Sequence, residues 1–140
     1  MINKFRNRYY FLSNMYPCTI QFDELVYNSS ECLFQALKCL SKSDRSKFVG
    51  IDGYTAKGIG KKVKLRPNWD DIKVDIMYCV IKMKFEQNYD LRLKLLATKN
   101  EHLEEANCWG DDFWGTVNGY GRNELGKILM KVRQEYLKDA

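Results

Sequence analysis

The sequence predicts a mainly helical α+β fold, a single domain spanning residues 1–140, with a small β-sheet near its N-terminus. Three observations lead there. Apolar residues recur at helical spacing through most of the chain beyond residue 28, the β-prone runs all lie before it, and strands and helices do not alternate as a doubly wound sheet requires. A chain of 140 residues has the usual length of one domain and encloses a substantial core; no repeat, low-complexity tract or Pro/Gly/Ser-rich linker divides it.

The expected sheet comes from residues 9–12, 19–22 and 25–27. Asn28-Ser29-Ser30-Glu31 opens the first helix, whose Leu33, Ala36, Leu37 and Leu40 form an apolar stripe; Glu31, Gln35 and Lys38 fall on another face. A shorter helix is expected over residues 55–64. The longest follows Pro67, with Ile72, Ile76, Val80 and Met83 along one side and Asp70 and Asp71 at its positive end. Another covers residues 89–97. After a loop rich in glycine and aromatics, Asn123 caps a final helix carrying Leu125, Ile128, Leu129, Val132 and Tyr136.

Composition narrows the chemistry. Hydrophobic residues at 45% and charged residues at 29% are the proportions of a packed globule, not of a disordered chain. The five cysteines are odd in number, widely spaced and lack a C-x-x-C pair, against a disulfide framework or a zinc knuckle and in favour of a reducing compartment. With no long apolar leader and no run near the ~18 apolar residues of a membrane span, a soluble cytoplasmic protein is expected. The net charge of +5 belongs to the first half, densest at Lys57, Lys61, Lys62, Lys64 and Arg66. That strip fits an anionic partner or a plain solvated helix face. His102 is the only histidine, so a Ser-His-Asp triad or a multi-histidine metal site lacks material; no metal or cofactor is expected, and carboxylates must carry any acid–base work.

Three carboxylates stand apart. Glu31 lies three residues after Asn28, the spacing of a capping box, so helix physics alone favours a cap. Asp111 and Asp112 are bracketed by glycines and two indoles in Cys108-Trp109-Gly110-Asp111-Asp112-Phe113-Trp114-Gly115, a loop that suits a planar ligand or simply a turn with buried aromatics. Gly119-Tyr120-Gly121-Arg122-Asn123 has a dinucleotide fingerprint only in outline, since its third glycine is misplaced and no βαβ unit surrounds it; it fits a phosphate-binding helix start or a loop with a cap.

An ordered set of segments shifts the weight for Glu31 and Asp111 towards chemistry. Phe11-Leu12-Ser13-Asn14-Met15-Tyr16-Pro17, Ser30-Glu31-Cys32-Leu33-Phe34-Gln35-Ala36-Leu37-Lys38, Ala56-Lys57-Gly58-Ile59-Gly60, Arg66-Pro67-Asn68-Trp69-Asp70 with Lys73, Asp111-Asp112-Phe113-Trp114-Gly115 and Asn123-Glu124-Leu125-Gly126-Lys127 resemble, in order, the signature segments of the YbiA-like (NADAR) family. The resemblance covers nearly the whole chain. It implies a YbiA-like fold that hydrolyses N-glycosidic bonds, in phosphoribosylated intermediates of riboflavin synthesis or in ADP-ribosyl-guanine adducts. Glu31, Trp69 and Asp111 correspond to the family's essential residues, with Asp112 as the fallback for Asp111. Ser13, Asn14, Lys57, Gly60, Arg66, Asp112, Trp114 and Asn123 match positions of the ligand pocket. The partners so implied are a phosphoribosyl or ADP-ribosyl small molecule and ADP-ribosylated nucleic acid. Two positions depart from the family pattern: Cys32 stands where many relatives carry His, which bears on any proton relay that His serves and on substrate choice, and Met15 stands where many carry Phe.

Breaking a ribosyl C–N bond builds positive charge on the sugar and negative charge on the base. The expected scheme gives Glu31 the anion beside the anomeric carbon, Asp111 the ribose hydroxyls or the water, Trp69 a stacking face, and Lys57, Lys61 or Arg66 the phosphate. The non-catalytic alternative is an ADP-ribose or nucleotide-binding module that keeps the pocket without hydrolysis; a general nucleic-acid binder using the Lys57 to Arg66 strip is a further one, marked by steep salt dependence.

Overall fold

The computed structural model describes residues 1–139, which fall into two units: residues 14–88, and residues 1–13 together with 89–139. The protein is mainly helical with one two-stranded antiparallel sheet, the α+β class that the sequence predicts.

In residues 14–88 the sheet is a hairpin of β1 (Ile20–Phe22) and β2 (Leu25–Tyr27), paired Ile20 to Tyr27, Gln21 to Val26 and Phe22 to Leu25. Its two-residue turn sets Asp23 and Glu24 at φ 50° and 65°, the doubly left-handed geometry whose twist matches the strands. Neither residue is glycine. Both are held by the following short helix α2 (Lys42–Arg45), through Arg45 Nη2 to Asp23 at 2.6 Å and Lys42 Nζ to Glu24 at 3.0 Å. Sequence periodicity has no purchase on a four-residue helix, and α2 was not foreseen; nor was the 3₁₀ turn Ser46–Phe48 that buries Phe48.

Helix α1 (Ser30–Ala36) is short and buried on every side. Leu33, Ala36 and Leu37 join the core as expected, but Leu40 lies beyond the helix end at Leu37 and is exposed. Asp52 caps α3 (Gly53–Gly60), accepting from Thr55 N–H at 2.8 Å, so this helix starts and stops earlier than the expected 55–64. Helix α4 (Trp69–Gln87) follows Pro67 as predicted, and packs on α1 and β1. Its buried face is Trp69, Met77, Val80, Ile81, Lys84 and Phe85, whereas Ile72, Ile76 and Met83 are only half-buried: the core face is rotated from the stripe read in the sequence. At its C-terminus the Gln87 amide accepts from Gln21 N–H at 2.7 Å and donates to Gln21 C=O at 2.9 Å.

In the other unit, residues 7–12 form a 3₁₀ helix, not the strand expected at 9–12. Phe11 and Leu12 are both buried, and neighbours in sequence that enter one core cannot occupy the alternating faces of a strand. Ile2 runs parallel to Leu103, donating to His102 C=O at 2.8 Å and accepting from Glu104 N–H at 2.9 Å. Helix α5 (Tyr89–Ala97) has the expected bounds, and α6 (Glu124–Asp139) buries the predicted Leu125, Ile128, Leu129, Val132 and Tyr136. Among the described residues no helix is long and apolar enough to cross a membrane.

Lys84 is fully buried, its ammonium 5.4 Å from the Phe85 ring centre and 6.0 Å from that of Tyr16. Desolvation pushes its pKa down to about 8. Between that value and the ordinary lysine value the folded state binds fewer protons than the unfolded state, so this residue makes stability rise with pH through that window. Relative to Lys84→Met, the wild-type unfolding free energy should gain up to about 3 kcal/mol between pH 7.5 and pH 10.5. Denaturant unfolding at both pH values measures it; an unchanged difference would refute the assignment.

Candidate active site

The N-terminus of α1 is fastened to the segment before the hairpin. Asn14 C=O accepts from Glu31 N–H at 3.0 Å, and Asn14 Oδ1 accepts from Ser30 Oγ at 2.8 Å. Asn14 Nδ2 in turn reaches Met77 Sδ on α4 at 3.5 Å. The cap is Ser29, whose Oγ accepts from Cys32 N–H at 3.2 Å. The capping box expected from Asn28 is therefore displaced by one residue: its acidic position falls on Cys32, and Asn28 turns its amide to Ile51 C=O at 3.3 Å. Released from that box, Glu31 is 8% exposed and its Oε2 accepts from Gln35 Nε2, one turn on, at 3.1 Å.

Helix α3 closes over this face because its ends are glycines. A Cβ on Gly53 would stand 2.6 Å from Met15 Sδ and 3.2 Å from Glu31 Cβ, and one on Gly60 would overlap the Gln35 amide. Gln35 Oε1 is buried without a hydrogen-bond partner. Lys38, on the Glu31 face in the sequence but given no role there, completes the group by donating to Gly60 C=O at 3.3 Å. Burial lowers the affinity of its amine for a proton, and the Glu31 charge partly offsets this, so the two groups act on one another electrostatically. The i, i+7 spacing was the signal for it.

The other expected residues of residues 14–88 take several positions. Trp69, the first residue of α4, is 7% exposed, with its ring centre 5.3 Å from that of Phe34 on α1. Arg66 finishes α1: its N–H donates to Lys38 C=O at 2.8 Å and its Nη1 to Leu37 C=O at 3.2 Å. Lys57 is half-buried on α3, and Lys61, Lys62 and Lys64 are exposed. Cys32 is a buried thiol that donates to Ile51 C=O at 3.3 Å and accepts from Ser29 Oγ at 3.1 Å; burial pushes its pKa up, so it stays neutral where a histidine would titrate.

In the other unit the signature residues build a loop. Asp111 Oδ1 accepts from Phe113 N–H at 3.1 Å and Trp114 N–H at 2.9 Å, an Asx turn. Asn107 clasps the Asp111 backbone from both sides, at 3.0 and 2.8 Å. Asp112 is exposed, and its C=O accepts from Arg122 N–H at 2.7 Å. Trp114 meets Phe113 edge-on at 4.8 Å, and the Arg122 guanidinium lies 4.5 Å from the Phe113 ring centre. Arg122 also pairs with Glu124 at 3.0 Å, so the Gly119 to Asn123 segment is a loop leading into α6 with its arginine engaged. Asn123 does not cap α6 with its side chain as expected. That side chain is buried, donating to Leu103 C=O at 2.9 Å and accepting from Glu105 N–H at 3.0 Å, while its own C=O accepts from Lys127 N–H. Ser13 is buried and ends the 3₁₀ helix. Among the described residues no three metal-ligating side chains gather.

Two local tests follow. Asp111→Asn retains an acceptor for the two N–H groups and should melt within about 2 °C of wild type, whereas Asp111→Ala should cost about 1–2 kcal/mol; equal melting of both variants would remove the turn from the account. Gly60→Ala forces the Gln35 amide aside and should cost about 1–3 kcal/mol in a denaturant titration, and a neutral result would mean that α3 does not depend on this close approach.

The NADAR domain family matches residues 2–137, a span that takes in both units. A riboflavin biosynthesis protein of Vibrio vulnificus is 38% identical over 134 residues, covering 93% of this chain and 36% of that protein. N-glycosidase YbiA of Escherichia coli K12 is 33% identical over 130 residues, covering 88% of this chain and 79% of YbiA. The NMR structure of E. coli YbiA matches with a TM-score of 0.84 at 31% identity, over 99% of this chain and 88% of that one. The chain thus spans about a third of the Vibrio protein and most of YbiA, and it belongs to the NADAR domain family.

Proposed function

We propose that the chain is an N-glycosidase that hydrolyses the bond between a phosphorylated ribose, or an ADP-ribose, and a nitrogen base. The observation that carries this reading is the Glu31 carboxylate. It is almost enclosed, its backbone is tied to Asn14, its Oε2 is held by Gln35, and the ammonium of Lys38 is close enough to feel its charge. A carboxylate held in this way is fitted to face a cation that exists only in the transition state, because its orientation costs nothing at the moment of reaction. Relatives named N-glycosidase and riboflavin biosynthesis protein support the same chemistry.

In this scheme the C–N bond breaks with its electron pair going to the base, and Glu31 stabilises the oxocarbenium-like sugar. Water adds to the anomeric carbon and gives one proton to Glu31. The departing nitrogen takes a proton from Lys38, whose lowered proton affinity suits it to donate, and proton return from Glu31 to Lys38 restores both groups. The products are the free ribosyl hydroxyl and the protonated base. Lys57, Lys61 and Arg66 are the cations assigned to the phosphate. Trp69 acts through packing: its ring on Phe34 fixes the helix that bears Glu31. Asp111, Asp112, Trp114, Ser13, Asn14, Gly60 and Asn123 enter the reading through the family resemblance, Asp111 by ordering the loop that carries Trp114.

Product mass spectrometry with a phosphoribosylated riboflavin intermediate and with ADP-ribosylated guanine tests the reading. Release of the base by the wild type is expected, slowed at least about 100-fold in Glu31→Gln, with the fold and ligand affinity kept by the near-isosteric amide. Undiminished turnover in that variant would sink the assignment. Lys38→Met should flatten the alkaline limb of the pH–rate profile, and an unchanged limb would take the proton donor's role from Lys38.

A further inference from the structure

A cleft of about 530 Å³ opens in the unit of residues 1–13 and 89–139, and none of the candidate active-site residues lines it. Its volume falls within the range of small-molecule sites, roughly 300–1,000 Å³, and is far larger than inorganic phosphate needs. Its walls are the start of the 3₁₀ helix, with Arg8 and Tyr9, and the end of α5, with Lys94, Thr98, Lys99 and Asn100.

Charge is unbalanced there. Arg8, Lys94 and Lys99 are exposed, and neither lysine has an ion-pair partner among the described residues. The one carboxylate of the lining, Glu101, is taken by the N-terminal ammonium at 2.6 Å. The C-terminus of α5 brings about half a negative charge, less than the two lysines supply, and its carbonyls are already occupied: Leu95 C=O by Thr98 N–H and Oγ1 at 3.1 and 2.6 Å, Leu96 C=O by Lys99 N–H at 3.0 Å.

Backbone and ring geometry point the same way. Lys99 has φ 57°, the left-handed conformation that glycine or asparagine takes at a helix end without the steric conflict of a long side chain. That conformation closes α5 and fixes the Lys99 backbone at the cleft. Elsewhere in the lining the Arg8 guanidinium lies 4.7 Å from the Tyr9 ring centre, and guanidinium and aromatic faces are the side-chain surfaces on which bases stack. The floor is rigid, because Thr98 Oγ1 accepts from buried Arg133 at 2.9 Å and Ile2 is paired into residues 102–104.

We propose that this cleft binds a nucleoside phosphate, the base against Arg8 and Tyr9 and the phosphates between Lys94 and Lys99. The site is independent of Glu31, so the test uses Glu31→Gln protein, in which turnover is not a complication. In ¹⁵N–¹H spectra at low salt, ADP should move the amides of Arg8, Thr98, Lys99 and Asn100 saturably. Adenosine and inorganic phosphate should each bind at least tenfold more weakly. Lys94→Glu combined with Lys99→Glu should weaken ADP at least tenfold at these amides while leaving the rest of the spectrum in place. Lys99→Gly, which removes the charge and relieves the backbone, should melt higher than its parent and still lose affinity. Absence of shifts at these amides with millimolar ADP would overturn the proposal, as would equal affinity for phosphate and ADP or undiminished binding by the doubly reversed variant.

Discussion

The contact on which the candidate site depends is the bare backbone of Gly60 against the amide of Gln35. A methyl group at that point would occupy the space of the amide itself, and at the other end of α3 a methyl on Gly53 would press on Glu31 Cβ and Met15 Sδ. With both positions empty, the helix lies directly on the Glu31 face of α1. Gln35 is thereby confined to an orientation in which its Nε2 meets Glu31, and Lys38 reaches the Gly60 carbonyl from the same side. Burial then does the electrostatic work, lowering the proton affinity of Lys38 and raising that of the Cys32 thiol.

Much of this was legible in the sequence, and the parts that were not have physical reasons. Helices α5 and α6 and the hairpin follow from periodicity, because each has one wet and one dry face. Helix α1 is dry on all faces, so its stripe overran the true end and carried Leu40 with it. In α4 a lysine belongs to the buried face, and no apolar pattern counts a lysine as core; the face was therefore read a step away from its true position. Residues 9–12 are aromatic and β-prone, yet two adjacent side chains both turn inward and the local geometry becomes 3₁₀. The cap that the sequence attributes to Glu31 requires Asn28 at the N-cap, and Ser29 takes that position.

Polar side chains in this protein repeatedly replace backbone as the partner of backbone. Asp111 closes a turn, Asn123 stitches residues 103–105 to the start of α6, and Asn14 anchors the start of α1. Three positions that the family resemblance marks as functional are thus also structural joints. In each, the side chain fixes a loop or helix end that a short element has too few hydrogen bonds to fix by itself, which is how a chain with one small sheet holds polar groups in fixed positions.

The amide of Gln87 has a consequence of a different kind. A two-stranded ribbon leaves each outer margin with unpaired donors and acceptors, and such margins invite a strand from another molecule. Along β1 the outward-facing N–H and C=O of Gln21 are both taken by one side chain, at 2.7 and 2.9 Å, so the helix that ends there stands in for the missing neighbour strand. The hairpin is thereby shielded at Gln21 from strand-on-strand self-association by a single glutamine.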